Sequence, residues 1–121
     1  MGFTIDGKHN CLNYVGDYQI QTAKSICANV GAKVPLPRNG NENKDYRAAF
    51  NSLGGKQRVA LGADDLVSEG KWRDVNGNVS YTNWDSGQPN SWGNQDYVEM
   101  ISDGDWGDAD STSVRSIICE I

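Results

Sequence analysis

Apolar positions in the first half of this chain switch between two periods, and the switch predicts its elements. Phe3 to Ile5 predicts a short strand and Cys11-Leu-Asn-Tyr-Val15 a second, with Gly7 in the turn between them. Asp17 is placed to cap a helix over Tyr18 to Asn29, with Ile20, Ala23, Cys27 and Val30 on one apolar face. Gly31 follows where a left-handed glycine ends a helix. Lys33-Val-Pro-Leu-Pro37 must be extended, because each proline disfavours helix in the residue before it. Asn39-Gly40-Asn41 reads as a turn and cap. A second helix follows from about Glu42 to Ser52, with Tyr46, Ala49, Phe50 and Leu53 as its stripe and Gly54-Gly55 as its stop.

The second half is less regular. Arg58-Val-Ala-Leu61 predicts a short buried strand, and Tyr97-Val-Glu-Met-Ile101 alternates as a strand does. Val114 to Ile121 closes the chain as a strand, with Ile117, Cys119 and Ile121 on one face. Between Gly62 and Asp96 the chain is rich in Gly, Asn, Asp and Ser. There Asn76-Gly77 marks a tight hairpin inside Val75 to Val79. Loops this long are functional or disordered, and Trp72, Trp84 and Trp92 argue against disorder. The expected fold class is α+β: two helices early, an antiparallel sheet joining both termini, and one domain over residues 1–121.

Charge sharpens this picture. The net charge is −5, but Asp64 to Asp110 holds eleven acids against Lys71 and Arg73, a local balance of −9. The rest of the chain carries +4. A nucleic-acid surface needs the opposite sign, so that class of partner is excluded. A locally acidic, Asn-rich segment suits a hard cation. No apolar run approaches a membrane span, and no charged-then-apolar leader opens the sequence.

The three cysteines, Cys11, Cys27 and Cys119, form no CxxC pattern, and His9 is the only histidine. Structural zinc and Cys–His catalysis are therefore disfavoured. From the residues alone, the cysteines read either as three buried thiols or as one long-range disulfide in a secreted protein. A bridge closing about 90 residues stabilises by roughly 4–5 kcal/mol.

Several motifs, taken in order, carry a family resemblance. They are Cys27 before Gly31, Val59-Ala-Leu-Gly62, Asp65-Leu-Val-Ser-Glu69-Gly70-Lys-Trp72, Asn83-Trp84, and Gln88-Pro89-Asn90. Asp96-Tyr-Val-Glu, Asp105-Trp106-Gly107-Asp108 and Ile118-Cys119-Glu120 follow. Over nearly its whole length the chain resembles a C-type lectin domain. The resemblance implies a double-loop fold with Cys27 bridged to Cys119 and a cis peptide before Pro89. It implies a sugar-site calcium held by Gln88, Asn90 and Asp108, with Gln95 and Trp92 completing the sugar-binding set. Asp65, Glu69 and Asp96 would hold an accessory calcium. Calcium takes six to eight oxygen ligands, and sugar hydroxyls can replace its waters. The implied function is a secreted, calcium-dependent carbohydrate-binding module with a glycan partner and no catalysis.

The departures from the family pattern matter. Gln95 stands where a glutamate is usual, Gly107 where an asparagine is usual, and Gln88 where an acid is usual. The sugar-site calcium would then have one formal carboxylate, so weak affinity is expected. Tyr97 and Ser111 replace a second disulfide. Cys11 is left either free or joined to another chain, which keeps a homodimer open. Gln88-Pro89-Asn90 is a hybrid of the mannose-type and galactose-type tripeptides, and an aromatic at Trp92 tips the expectation to galactose. The alternative is a calcium-poor member that binds a protein partner or ice. A glycosidase would need two carboxylates flanking a sugar, and the resemblance points instead to non-enzymatic members. Trp72, Trp84 and Trp106 read as core. Asp74-x-Asn76-x-Asn78 mimics an EF-hand start, but Val79 occupies the required glycine position, so a hairpin is the better reading.

Overall fold

The computed structural model describes residues 2–53, 58–90 and 95–121. Its C-terminal strand organises the sheet. Strands β1 (Gly2–Ile5) and β2 (Lys8–Gln19) form an antiparallel hairpin, and β2 pairs antiparallel with β8 (Val114–Glu120). On its other edge β8 meets β3 (Val59–Asp64) in parallel, at Val59 and Ser116, so the sheet is mixed rather than purely antiparallel. Strand β3 then pairs with β6 (Tyr97–Met100), and β6 with β7 (Trp106–Ala109), both antiparallel. The short strands β4 (Arg73–Asp74) and β5 (Gly77–Asn78) extend the other end of β3.

Two helices cover the sheet. Helix α1 (Ala23–Asn29) and helix α2 (Gly40–Ser52) each belong to one core cluster. Tyr46, Ala49 and Phe50 of α2 pack with Leu12, Leu61, Val98, Trp106 and Ile118. Ala23 and Cys27 of α1 pack with Ile20, Ala60, Ile117 and Cys119 on the second side. Trp106 is fully buried, and its indole N–H donates to Asn43 Oδ1 at 2.8 Å, which satisfies the polar handle that burial would otherwise orphan. Trp72 and Trp84 are partly buried against the same cluster, so all three tryptophans read as core are core. The bridge expected between Cys27 and Cys119 is formed.

Several elements differ from expectation. Residues Tyr18 and Gln19 extend β2 instead of opening a helix, because Asp17, Tyr18 and Gln19 find partners on β8 at Ser116, Arg115 and Val114. Asp17 is thus no cap: it accepts from Tyr14 Oη and from Ser116 Oγ. A register shift at Gly16 makes this long strand possible. Gly16 has φ +132, and a Cβ there would lie 2.7 Å from the Tyr18 ring. A short 3-10 turn over Ile20–Thr22 then leads into α1. Val30, expected on the apolar face, is 60% exposed, because α1 ends before it and Gly31 (φ +71) turns the chain away. Ile121 lies beyond β8 and is exposed.

Helix α2 starts two residues earlier than the pattern indicated. Asn39 caps it by accepting from the Glu42 backbone N–H at 2.8 Å. The Gly54-Gly55 stop lies outside the described residues. The hairpin about residue 76 exists one position earlier: Arg73 faces Asn78 and Asp74 faces Gly77, so Val75 and Asn76 form the turn. Asp74 Oδ1 accepts from the Asn76 amide, which selects this register. Finally, Trp106–Ala109 forms a fully buried strand inside the acidic run Asp103 to Asp110.

Candidate functional site

Two polar groupings lie in the long-loop half of the molecule. The first gathers Asp65, Glu69 and Asp96, whose carboxylate oxygens lie within 4.8 Å of one another. Among the described residues no other set of three such side chains comes this close. The backbone brings it together: β3 ends at Asp64, and the Asp65 N–H donates to the Asp96 carbonyl at 3.1 Å. Asp65 is buried, and Gly70 donates to its Oδ2 at 2.9 Å. Its Oδ1 is buried without a hydrogen-bond partner. Burial, and then the Glu69 carboxyl beside it, push the Asp65 pKa up, and burial with Asp65 does the same for Asp96. Three crowded carboxylates with an orphaned buried oxygen fit a hard divalent cation, whose charge relieves both the repulsion and the unmet acceptor.

The second grouping is a polar cavity of about 180 Å³. Gln88, Gln95 and Asp108 line it together with Arg58, Glu99 and Arg115. Gln88 Oε1 accepts from the Asp108 backbone N–H at 3.3 Å, and the Gln88–Pro89 peptide is cis, as expected. Gly107 opens the wall: a Cβ there would lie 3.4 Å from Glu99 Oε2 and 3.8 Å from the Gln88 amide. Asn90 is exposed and is not part of the cavity wall. Trp92 lies outside the described residues.

The sequence model of the Lectin C-type domain matches residues 17–121. The chain belongs to the C-type lectin domain family. Solved C-type lectin structures share its fold. The mouse scavenger receptor C-type lectin carbohydrate-recognition domain has 24% identity and a TM-score of 0.81, over 93% of this chain and 89% of that one. Human lithostathine has 21% identity and a TM-score of 0.81, over 93% and 91%. The cow CD23 carbohydrate-recognition domain, solved in the presence of a GlcNAc2Man3 oligosaccharide, has 22% identity and a TM-score of 0.79, over 93% and 86%. The C-type lectin domain is a family of binding modules, not of enzymes.

Within this C-type lectin domain, the residues that sequence reasoning missed are Arg58, Glu99 and Arg115. Glu99 is 1% exposed, yet both its oxygens are engaged. Arg58 Nη1 donates to Oε2 at 2.5 Å and Arg115 Nε to Oε1 at 2.5 Å. The signal was present in the alternation. Glu99 shares a strand with Val98 and Met100, and Arg115 shares the parity of Ile117 and Cys119. Glu99 is the one charge on β6, and Arg115 sits on β8 in line with two core residues, so each needs a partner where it is buried.

Proposed function

We propose that this C-type lectin domain is a secreted, calcium-dependent carbohydrate-binding module. The observation that carries the reading is the meeting of Gln88, Gln95 and Asp108 on one polar cavity, with an acid cluster fit for calcium in the same half of the molecule. In this reading Gln88, Asn90 and Asp108 hold the sugar-site calcium, and Gln95 adds a hydrogen bond to the sugar. Asp65, Glu69 and Asp96 hold the accessory ion and order the long loop. Calcium at the sugar site supplies open coordination positions for two hydroxyls. The neighbouring amides donate to and accept from those hydroxyls and so fix the sugar's orientation. The Cys27–Cys119 bridge supports secretion, since disulfides persist in oxidising compartments. Cys11 lies on β2 outside that bridge and is the candidate for a dimer link.

For the sugar we infer a galactose-type preference, drawn from the Gln88 tripeptide and from Trp92. The test is binding to immobilised galactose and mannose, with and without a calcium chelator. Retention on galactose that chelator abolishes is the expected result. Retention that ignores chelator would rule out the mechanism, and stronger retention on mannose would overturn the preference. A second reading, a partner-binding domain without sugar-site calcium, is favoured by Gly107, which contributes no side-chain ligand. Calorimetry showing calcium uptake at the acid cluster alone, with no retention on either sugar, would establish it.

A further inference from the structure

The cavity beside the proposed sugar site has two chemically different sides. Across the sheet the strands run β8, β3, β6, β7. Arg115 lies on β8, and Arg58 immediately precedes β3. The Ser116 N–H donates to the Arg58 carbonyl at 3.0 Å, which fixes these two positions side by side. Glu99 lies on β6, facing Gly107 of β7, and Asp108 follows. The cavity therefore runs from two guanidiniums, past one shared carboxylate, to the proposed calcium ligands.

Charge decides what each side can take. Asp85, Glu99, Asp108 and Asp110 face Arg58 and Arg115 around the cavity, a balance of −2. One divalent cation at the Gln88–Asp108 side brings that balance to zero. The basic side is then no longer outweighed. Glu99 holds both guanidiniums in place and cancels only one of their charges. Arg58 spends one donor on Glu99, and Arg115 spends two, on Glu99 and on the Val114 carbonyl. A guanidinium has five, in a planar fork that matches a carboxylate or a sulfate. The Arg58 side chain is 56% exposed and so within reach of a ligand.

We propose that the Arg58–Arg115 side of this cavity is a subsite for the anionic substituent of a sugar, a hexuronate carboxylate or a sulfate ester. The proposal rests on the calcium-dependent sugar reading above. The sugar's hydroxyls meet the calcium side, and its negative group meets the guanidiniums. Neutral hexoses use only the first half of the site.

The test compares methyl galactoside, methyl galacturonoside and galactose 6-sulfate by calorimetry at saturating calcium. At least one anionic sugar should bind roughly fivefold to tenfold tighter than methyl galactoside, the order expected of one charge-assisted bond in a partly open cavity. Which of the two it is separates carboxylate from sulfate. Arg58→Gln should abolish most of that ratio. Glu99→Gln should raise it, because the competing carboxylate is gone while the amide oxygen still accepts from an arginine. The opposite signs of these variants cannot arise from simple misfolding. Calcium-dependent galactoside binding with no anionic preference overturns the subsite and leaves the sugar reading standing. No binding of any of the three sugars overturns both. An anionic preference that neither variant moves also overturns the subsite.

Discussion

Replacing Asp65 by asparagine separates two effects that a metal-binding carboxylate normally mixes. Asp65 is buried, gives Oδ2 to the Gly70 amide, and leaves Oδ1 without a partner beside Glu69 and Asp96. Without metal this arrangement is costly, because burial and the Glu69 carboxyl both oppose the ionised form. An asparagine keeps an oxygen for Gly70 and turns an NH2 donor toward the two remaining acids. In chelator, Asp65→Asn should therefore melt at or above the wild-type temperature. Calcium reverses the order. At a concentration about one hundred times its Kd, a single bound ion stabilises the native state by about 2.7 kcal/mol. With an unfolding entropy of about 2.1 cal/mol/K per residue, this 121-residue chain should gain about 10 °C. Asp65→Asn should lose nearly all of that gain. Differential scanning calorimetry of both proteins, in chelator and in millimolar calcium, reads all four melting temperatures. A calcium-induced rise that survives in Asp65→Asn, or a wild-type protein that calcium does not shift, would refute the reasoning.

Further outcomes follow from other contacts. Glu120 is buried and accepts from Tyr46 Oη and Asn10 Nδ2, with Lys33 at 3.9 Å. Tyr46→Phe removes a donor to a buried carboxylate, so urea unfolding should show a loss of about 1.5–3 kcal/mol; an unchanged midpoint would mean that Asn10 and Lys33 suffice. The Cys27–Cys119 bridge has a sequence separation of 92, and the Cys27→Ala/Cys119→Ala pair should lose about 4–5 kcal/mol in the chain-entropy model. A loss near zero in urea would show that the bridge does not constrain the unfolded chain. Gly107→Asn places its Cβ at ordinary contact distance from Gln88 and at a tight 3.4 Å from Glu99. The added amide should raise calcium uptake at the sugar position, detected by calorimetry in an Asp65→Asn background, where equal heats with and without the change would count against it.

Much of the first half was legible because local signals and tertiary demands agree there. Asn39 caps α2 by an interaction three residues long, and Tyr46, Ala49 and Phe50 share one helical face. The accessory acids were legible from their order in the family motifs, and the fold places all three together. The helix expected from Tyr18 failed for the opposite reason. A local pattern there competes with a strand partner almost one hundred residues away, and the partner wins. The cavity's basic side failed in the same way, since Arg58, Glu99 and Arg115 are distant in sequence and meet only through β3, β6 and β8.

By itself, then, the sequence determined the stripe and the cap of α2, the cysteines available and the sign of the loop. These depend on residues a few positions apart, or on counts, and no folding is needed to read them. Only the tertiary structure decided which strand β8 joins in parallel, where β2 ends, and that a buried glutamate holds two arginines beside the proposed sugar site. A buried charge is tolerated only when its partners arrive with it. Their arrival is a property of the sheet order and of no single segment.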